Sequence, residues 1–127
     1  DATWGEMSFG ANSAGGWLAG AVPHRLPLGQ ESDESGLTAH DMWQQPRQAY
    51  LLMNTEPEYD SATPRFAHEA LKRAKAVVVL AAFDNPHYRE YADVLLPMTP
   101  PSEMAGTYVN AFGEWQGFQA AVMPLGE

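Results

Sequence analysis

The sequence contains no cysteine. Within its 127 residues this excludes disulfides, thiolate metal sites, iron–sulfur ligation and a cysteine nucleophile. Bases are scarce too: seven Lys and Arg stand against sixteen Asp and Glu, for a net charge of −9. The imbalance is uneven, with nine acids and two arginines in the first sixty residues and seven acids and five bases in the rest. An acidic chain without a basic stripe is no match for nucleic acid or an anionic membrane surface. No apolar run approaches the roughly 18 residues of a membrane-spanning helix, so direct membrane insertion is not expected. The sequence begins at Asp1, with neither an initiator Met nor a signal-peptide pattern, and the expectation is a piece of a longer protein.

What is present fits one α/β domain over residues 1–127. Thr3–Phe9 reads as a strand, Gly10–Gly16 as a glycine-rich turn and Trp17–Val22 as a turn or two of helix ended by Pro23. Residues 23–36 hold two prolines and no periodicity, and read as a long surface loop. Thr38 stands three residues before Asp41 in a capping-box spacing, and Pro46 closes that short helix. Ala49–Met53 and Ala76–Ala82 are continuous apolar runs, the composition of parallel strands buried by helices. Between them Thr63 is placed to cap a helix with Pro64 in its first turn. Phe66, Ala67, Ala70, Leu71 and Ala74 form its apolar face. Tyr88–Ala92 is a short helical turn into an apolar strand at Asp93–Leu96, which Pro97 stops. Gly106–Asn110, a turn through Phe112-Gly113 and a return arm through Trp115 make a hairpin. The expected fold class is α/β: an open, mostly parallel, Rossmann-like sheet with helices on both faces, plus a C-terminal hairpin.

Ligands of such sheets collect beyond the carboxyl ends of the strands. The loop after Ala49–Met53 carries Glu56, Glu58 and Asp60. Three readings of it stay open: a solvated acidic loop, a contact surface for a basic partner, and catalytic paired carboxylates. The glycine-rich turn has neither Gly-Lys-Ser/Thr nor G-x-G-x-x-G, and Ala11 breaks a G-x-S-x-G elbow around Ser13. The histidines are scattered, and Asp84-x-x-His87-x-x-Glu90 matches no common metal spacing, so no metal is expected. Trp17, Trp43 and Trp115 are candidates for interface residues left exposed in isolation.

Three stretches together resemble the molybdopterin oxidoreductase superfamily. They are Gly10–Arg25, Ala49–Asp60, and the series Glu90–Pro97, Glu103, Gly106-Thr107, Val109-Asn110, Gly113 and Gln116. Within it, the Ala11–Arg25 stretch resembles the family of G-type subunits of bacterial proton-translocating NADH–quinone oxidoreductase, respiratory complex I. The resemblance implies a non-catalytic α/β region, with iron–sulfur clusters and NADH elsewhere in the parent complex. Its partners would be other subunits or domains of that complex, and its place cytoplasmic, peripheral to the inner membrane. The superfamily's molybdenum enzymes hold a pterin guanine dinucleotide between such regions. Their hairpin reads Asn-x-Glu-Gly-Arg-x-Gln, whereas here Phe112 stands at the acid and Glu114 at the arginine. Reversal of that charge argues against a bound dinucleotide. No cofactor is expected in this segment, and Asn54, Glu56, Asn110 and Gly113 are the candidates for a vestigial rim. The alternatives are a fragment of an active molybdenum oxidoreductase that binds part of the dinucleotide, and a free-standing α/β binding module.

Overall fold

The computed structural model describes residues 10–124. They form two compact units, residues 10–36 with 103–123, and residues 37–102 with 124. In chain order the elements are α1 (Ser13–Leu18), α2 (Ala39–Gln44), β1 (Ala49–Met53), α3 (Pro57–Asp60), α4 (Pro64–Arg73), β2 (Ala76–Ala81), α5 (Tyr88–Tyr91), β3 (Val94–Pro97), β4 (Gly106–Val109) and β5 (Trp115–Phe118). The expected α/β class, parallel sheet, flanking helices and C-terminal hairpin are all present.

The unit of residues 37–102 is built on the parallel sheet β1-β2-β3, with Leu52 opposite Val79 and Val79 opposite Leu95. The apolar runs supply its strands. Alternation then sends Tyr50, Leu52, Val77, Val79 and Ala81 into the core with Trp43 of α2, Ala67, Ala70 and Leu71 of α4, and Tyr88 and Tyr91 of α5. The alternate positions Leu51, Met53, Val94 and Leu96 stay exposed. Asp93 fixes the start of β3. Its carboxylate accepts from the Val77 amide at 2.8 Å, and its own amide donates to the Val77 carbonyl at 2.9 Å.

Helix α2 starts as its spacing predicts. Thr38 Oγ1 accepts from the Asp41 amide at 3.2 Å, and Asp41 Oδ2 accepts from the Thr38 amide at 3.0 Å. The Thr38 hydroxyl, which donates to Asp41 Oδ2 at 2.6 Å, and then the Thr38 amide hold the Asp41 carboxyl below its usual range. Helix α4 starts at Pro64 as expected, but Thr63 makes no side-chain cap bond. Its amide instead donates to Ser61 Oγ at 3.1 Å. Phe66 departs from the expected apolar face: α4 turns the smaller Ala67 and Ala70 inward with Leu71, and Phe66 remains half exposed.

The other unit pairs β4 and β5 antiparallel, with Val109 opposite Trp115. Helix α1 begins at Ser13, inside the stretch expected to be a glycine-rich turn, and ends at Leu18. Asn12 occupies its N-cap position without a side-chain cap bond; Asn12 Oδ1 accepts instead from the Val109 amide of β4, at 2.8 Å. That bond crosses 97 positions of sequence. Residues 23–36 include a 3₁₀ turn at Pro27–Gly29 and a bridge between Arg25 and Glu31. The expected strand at Thr3–Phe9 lies outside the described residues.

Candidate site at the strand ends

Three loops leave the carboxyl ends of the parallel strands and enclose a crevice of about 350 Å3. Asn54, Glu56 and Asp60 enter it from the segment after β1, Ala81 and Phe83 from the end of β2, Tyr88 from α5, and Pro101 from the loop after β3. This is where an open parallel sheet places its ligands.

Side chains tie the loops together. Asn54 takes a left-handed backbone, φ +47°, and its amide donates to the Leu80 carbonyl at 2.7 Å. Asn is among the few residues that tolerate that conformation. Asn85 is buried at 6% exposure, and its amide Nδ2 donates to Glu56 Oε1 at 2.8 Å. Asn85 Oδ1 accepts from the His87 amide at 3.0 Å. The Tyr88 hydroxyl donates to the Thr55 carbonyl at 3.2 Å. The Glu56 amide donates to Asp60 Oδ2 at 2.7 Å, which closes the single turn of α3.

The three acids of this segment divide. Glu56 and Asp60 are exposed and face the crevice. Glu58 turns inward: its side chain is 12% exposed, and both carboxylate oxygens are buried without a hydrogen bond among the described residues. His68 Nδ1 stands 3.9 Å from Glu58 Oε1, and His68 Nε2 stands 3.4 Å from Glu90 Oε2. Bonds from Lys72, then His87, hold the Glu90 carboxyl below its usual range. Burial, then the charges of Glu56, Glu58 and Asp60, pushes the Tyr88 phenol up. Burial and Glu58 do the same to Tyr91. Negative potential therefore surrounds the strand ends, and none of the residues lining the crevice is a base.

The four rim candidates fall on different elements. Asn54 and Glu56 belong to the crevice, while Asn110 and Gly113 belong to the hairpin of the other unit. There Asn110 Oδ1 accepts from the amides of Phe112 and Glu114 at 2.9 and 3.0 Å. Asn110 Nδ2 donates to Glu114 Oε2 at 2.7 Å. Gly113 supplies the positive φ, +82°, that the turn requires. Of the tryptophans, Trp43 is core, whereas Trp17 and Trp115 are exposed.

Among the described residues no group of three or more His, Asp or Glu could hold a metal ion. Asp84 pairs with Arg89, and His87 with Glu90 at 3.1 Å. No helix among them is long and apolar enough to cross a membrane. Sequence reasoning missed Asn85 and Phe83; the only local signal was the Asn85-Pro86 turn dipeptide.

A comparison with protein families finds a match to molybdopterin oxidoreductase over residues 3–127. A search of curated proteins found no match.

Proposed function

Since the chain belongs to the molybdopterin oxidoreductase family, we propose that it is a structural domain that holds no cofactor at its strand ends. Its parent would be the G-type subunit of a proton-translocating NADH–quinone oxidoreductase. The domain contributes to electron transfer from NADH to quinone as part of that complex, through contact surface rather than bond chemistry. The Ala11–Arg25 stretch and the absence of cysteine support the assignment to this kind of subunit.

The acidic crevice carries the cofactor-free reading. The family's pterin guanine dinucleotide is anionic through its phosphates. Glu56 and Asp60 line the crevice with no base beside them. A unit charge 4 Å from a like charge near a protein surface costs about 4 kcal/mol. One hydrogen bond to a charged group, such as an Asn54 side-chain amide would donate to a phosphate, returns about 1.5–3 kcal/mol. The residues present do not fit the phosphates of the group.

The test is thermal unfolding of the chain with and without millimolar guanosine diphosphate. A ligand at about 100 times its dissociation constant adds about 2.7 kcal/mol, which raises the melting temperature by several degrees. The reading predicts no shift. A rise of roughly 5 °C or more would favour the alternative, a piece of an active molybdenum oxidoreductase.

A further inference from the structure

Three helices of the parallel-sheet unit meet at one imidazole. His68 of α4 turns one ring nitrogen to each neighbour: Nδ1 stands 3.9 Å from Glu58 Oε1 of α3, and Nε2 stands 3.4 Å from Glu90 Oε2 of α5. A neutral imidazole has a single N–H. It can serve one of these carboxylates and must set a lone pair against the other. The imidazolium donates from both nitrogens, so the charged ring is the form that suits this place.

The two carboxylates do not depend on His68 equally. Glu90 also has Lys72 at 3.0 Å and His87 at 3.1 Å. Glu58 has no such reserve. Its side chain is 12% exposed, and both oxygens are buried without a hydrogen bond among the described residues. Its other polar neighbour is the Tyr91 hydroxyl, which carries no positive charge and makes no well-formed bond to it. The Tyr91 ring meets His68 edge-on, with centroids 6.0 Å apart. Among the described residues, His68 is the one group paired with Glu58 that can become a cation. A buried carboxylate left without a cation or a donor is costly.

The cost falls on α3. This helix is a single turn, Pro57–Asp60, too short to hold itself without packing. It also joins Glu56 to Asp60, the two acids that line the crevice. Whatever fastens Glu58 therefore fastens that wall.

We propose that His68 is a pH-operated clasp: as an imidazolium it ties α3 to α5 across α4, and on losing its proton it releases α3 while the sheet stays folded. The clasp is closed at the acid end of the imidazole range and opens as pH rises through it, between about pH 5 and 8. The proposal concerns the mobility of the crevice wall and does not depend on whether the crevice takes a cofactor.

Hydrogen–deuterium exchange of the full-length protein at about pH 5.5 and about pH 8, corrected for the intrinsic pH dependence of amide exchange, tests this. The reporters are the amides of Tyr59, Asp60 and Ser61, which close the α3 turn on Glu56 and Pro57. Their protection should fall several-fold at the higher pH, with protection of β2 unchanged. His68→Gln should lower α3 protection at pH 5.5 to the wild-type level at pH 8 and remove its pH dependence. Glu58→Gln, which keeps the shape and deletes the charge, should also remove the pH dependence. His87→Gln should retain it, because His87 pairs with Glu90 and not with Glu58. Protection of α3 that is independent of pH in the wild type overturns the proposal. So does a pH dependence that survives in His68→Gln or Glu58→Gln, one that disappears in His87→Gln, or a loss of protection shared equally by β2.

Discussion

Asn85 donates its buried side-chain amide to Glu56 at 2.8 Å and so joins the loop after β2 to the loop after β1. Glu56 lines the acidic crevice, so the bond holds one of its walls. Asn85→Ala leaves the Glu56 carboxylate one donor short and empties a buried position. The expected loss is about 1–3 kcal/mol, read as a lower urea midpoint with an unchanged slope. Asn85→Asp should be worse at neutral pH, because it sets a second carboxylate against Glu56, and should recover as the pH is lowered. Equal stability of Asn85→Asp and wild type at pH 7 would show that the bond contributes nothing.

The orientation of α4 gives a paired prediction. Leu71 is 1% exposed and packs under the sheet, whereas Phe66 is 51% exposed. Leu71→Ala should cost about 2–5 kcal/mol, by lost burial and the cavity left behind. Phe66→Ala should cost less than about 1 kcal/mol, as surface changes do. Chemical denaturation of the two variants decides it, and a reversed order would contradict the packing.

Alkaline stability should report Tyr91. Burial, then the Glu58 charge, raises this phenol above its ordinary value of 10.0. The unfolded chain therefore loses the proton first. The neutral phenol fits its buried place and the phenolate does not, so this linkage leaves stability unchanged below pH 10 and lowers it as pH rises beyond. Its hydroxyl faces the Glu58 carboxylate without a well-formed hydrogen bond among the described residues. Tyr91→Phe should leave stability at pH 7 equal or higher and flatten the decline above pH 10. A decline in the variant as steep as in wild type would assign it to other groups.

Two hairpin glycines, Gly106 and Gly113, should resist a side chain for different reasons. At Gly106 a Cβ would lie 2.6 Å from Cζ of Phe118, whose ring meets Tyr108 edge-on with centroids 5.1 Å apart. Gly106→Ala should displace that ring and shift its proton resonances. Gly113 has open space but a φ of +82°, so Gly113→Ala should cost about 1 kcal/mol from backbone strain alone. Increased amide exchange at Phe112 and Glu114 would register it, and unchanged exchange would show that the turn absorbs the strain.

The parallel strands were legible because each is an apolar run bounded by Pro, Gly or polar residues. The α2 start was legible because a capping box is local, Thr38 to Asp41. The start of α1 was not. Gly15 and Gly16 disfavour helix, and Asn12, a good local cap, is drawn to the Val109 amide far along the chain. Phe66 was misassigned because periodicity marks an apolar stripe without saying which of its members the sheet has room for. The acidic character of the crevice was visible in Glu56, Glu58 and Asp60, but the inward turn of Glu58 arises from packing among α3, α4 and α5. The tie from Asn85 to Glu56 spans 29 positions and leaves no trace in spacing.

The most direct test of the central claim is the molybdenum and pterin content of the full-length protein purified from its own cells. An acidic strand-end crevice that rejects the dinucleotide predicts neither above background. Near-stoichiometric molybdenum with a guanine-linked pterin would contradict it, and would mean that Glu56 and Asp60 accommodate the anionic group they are argued to repel.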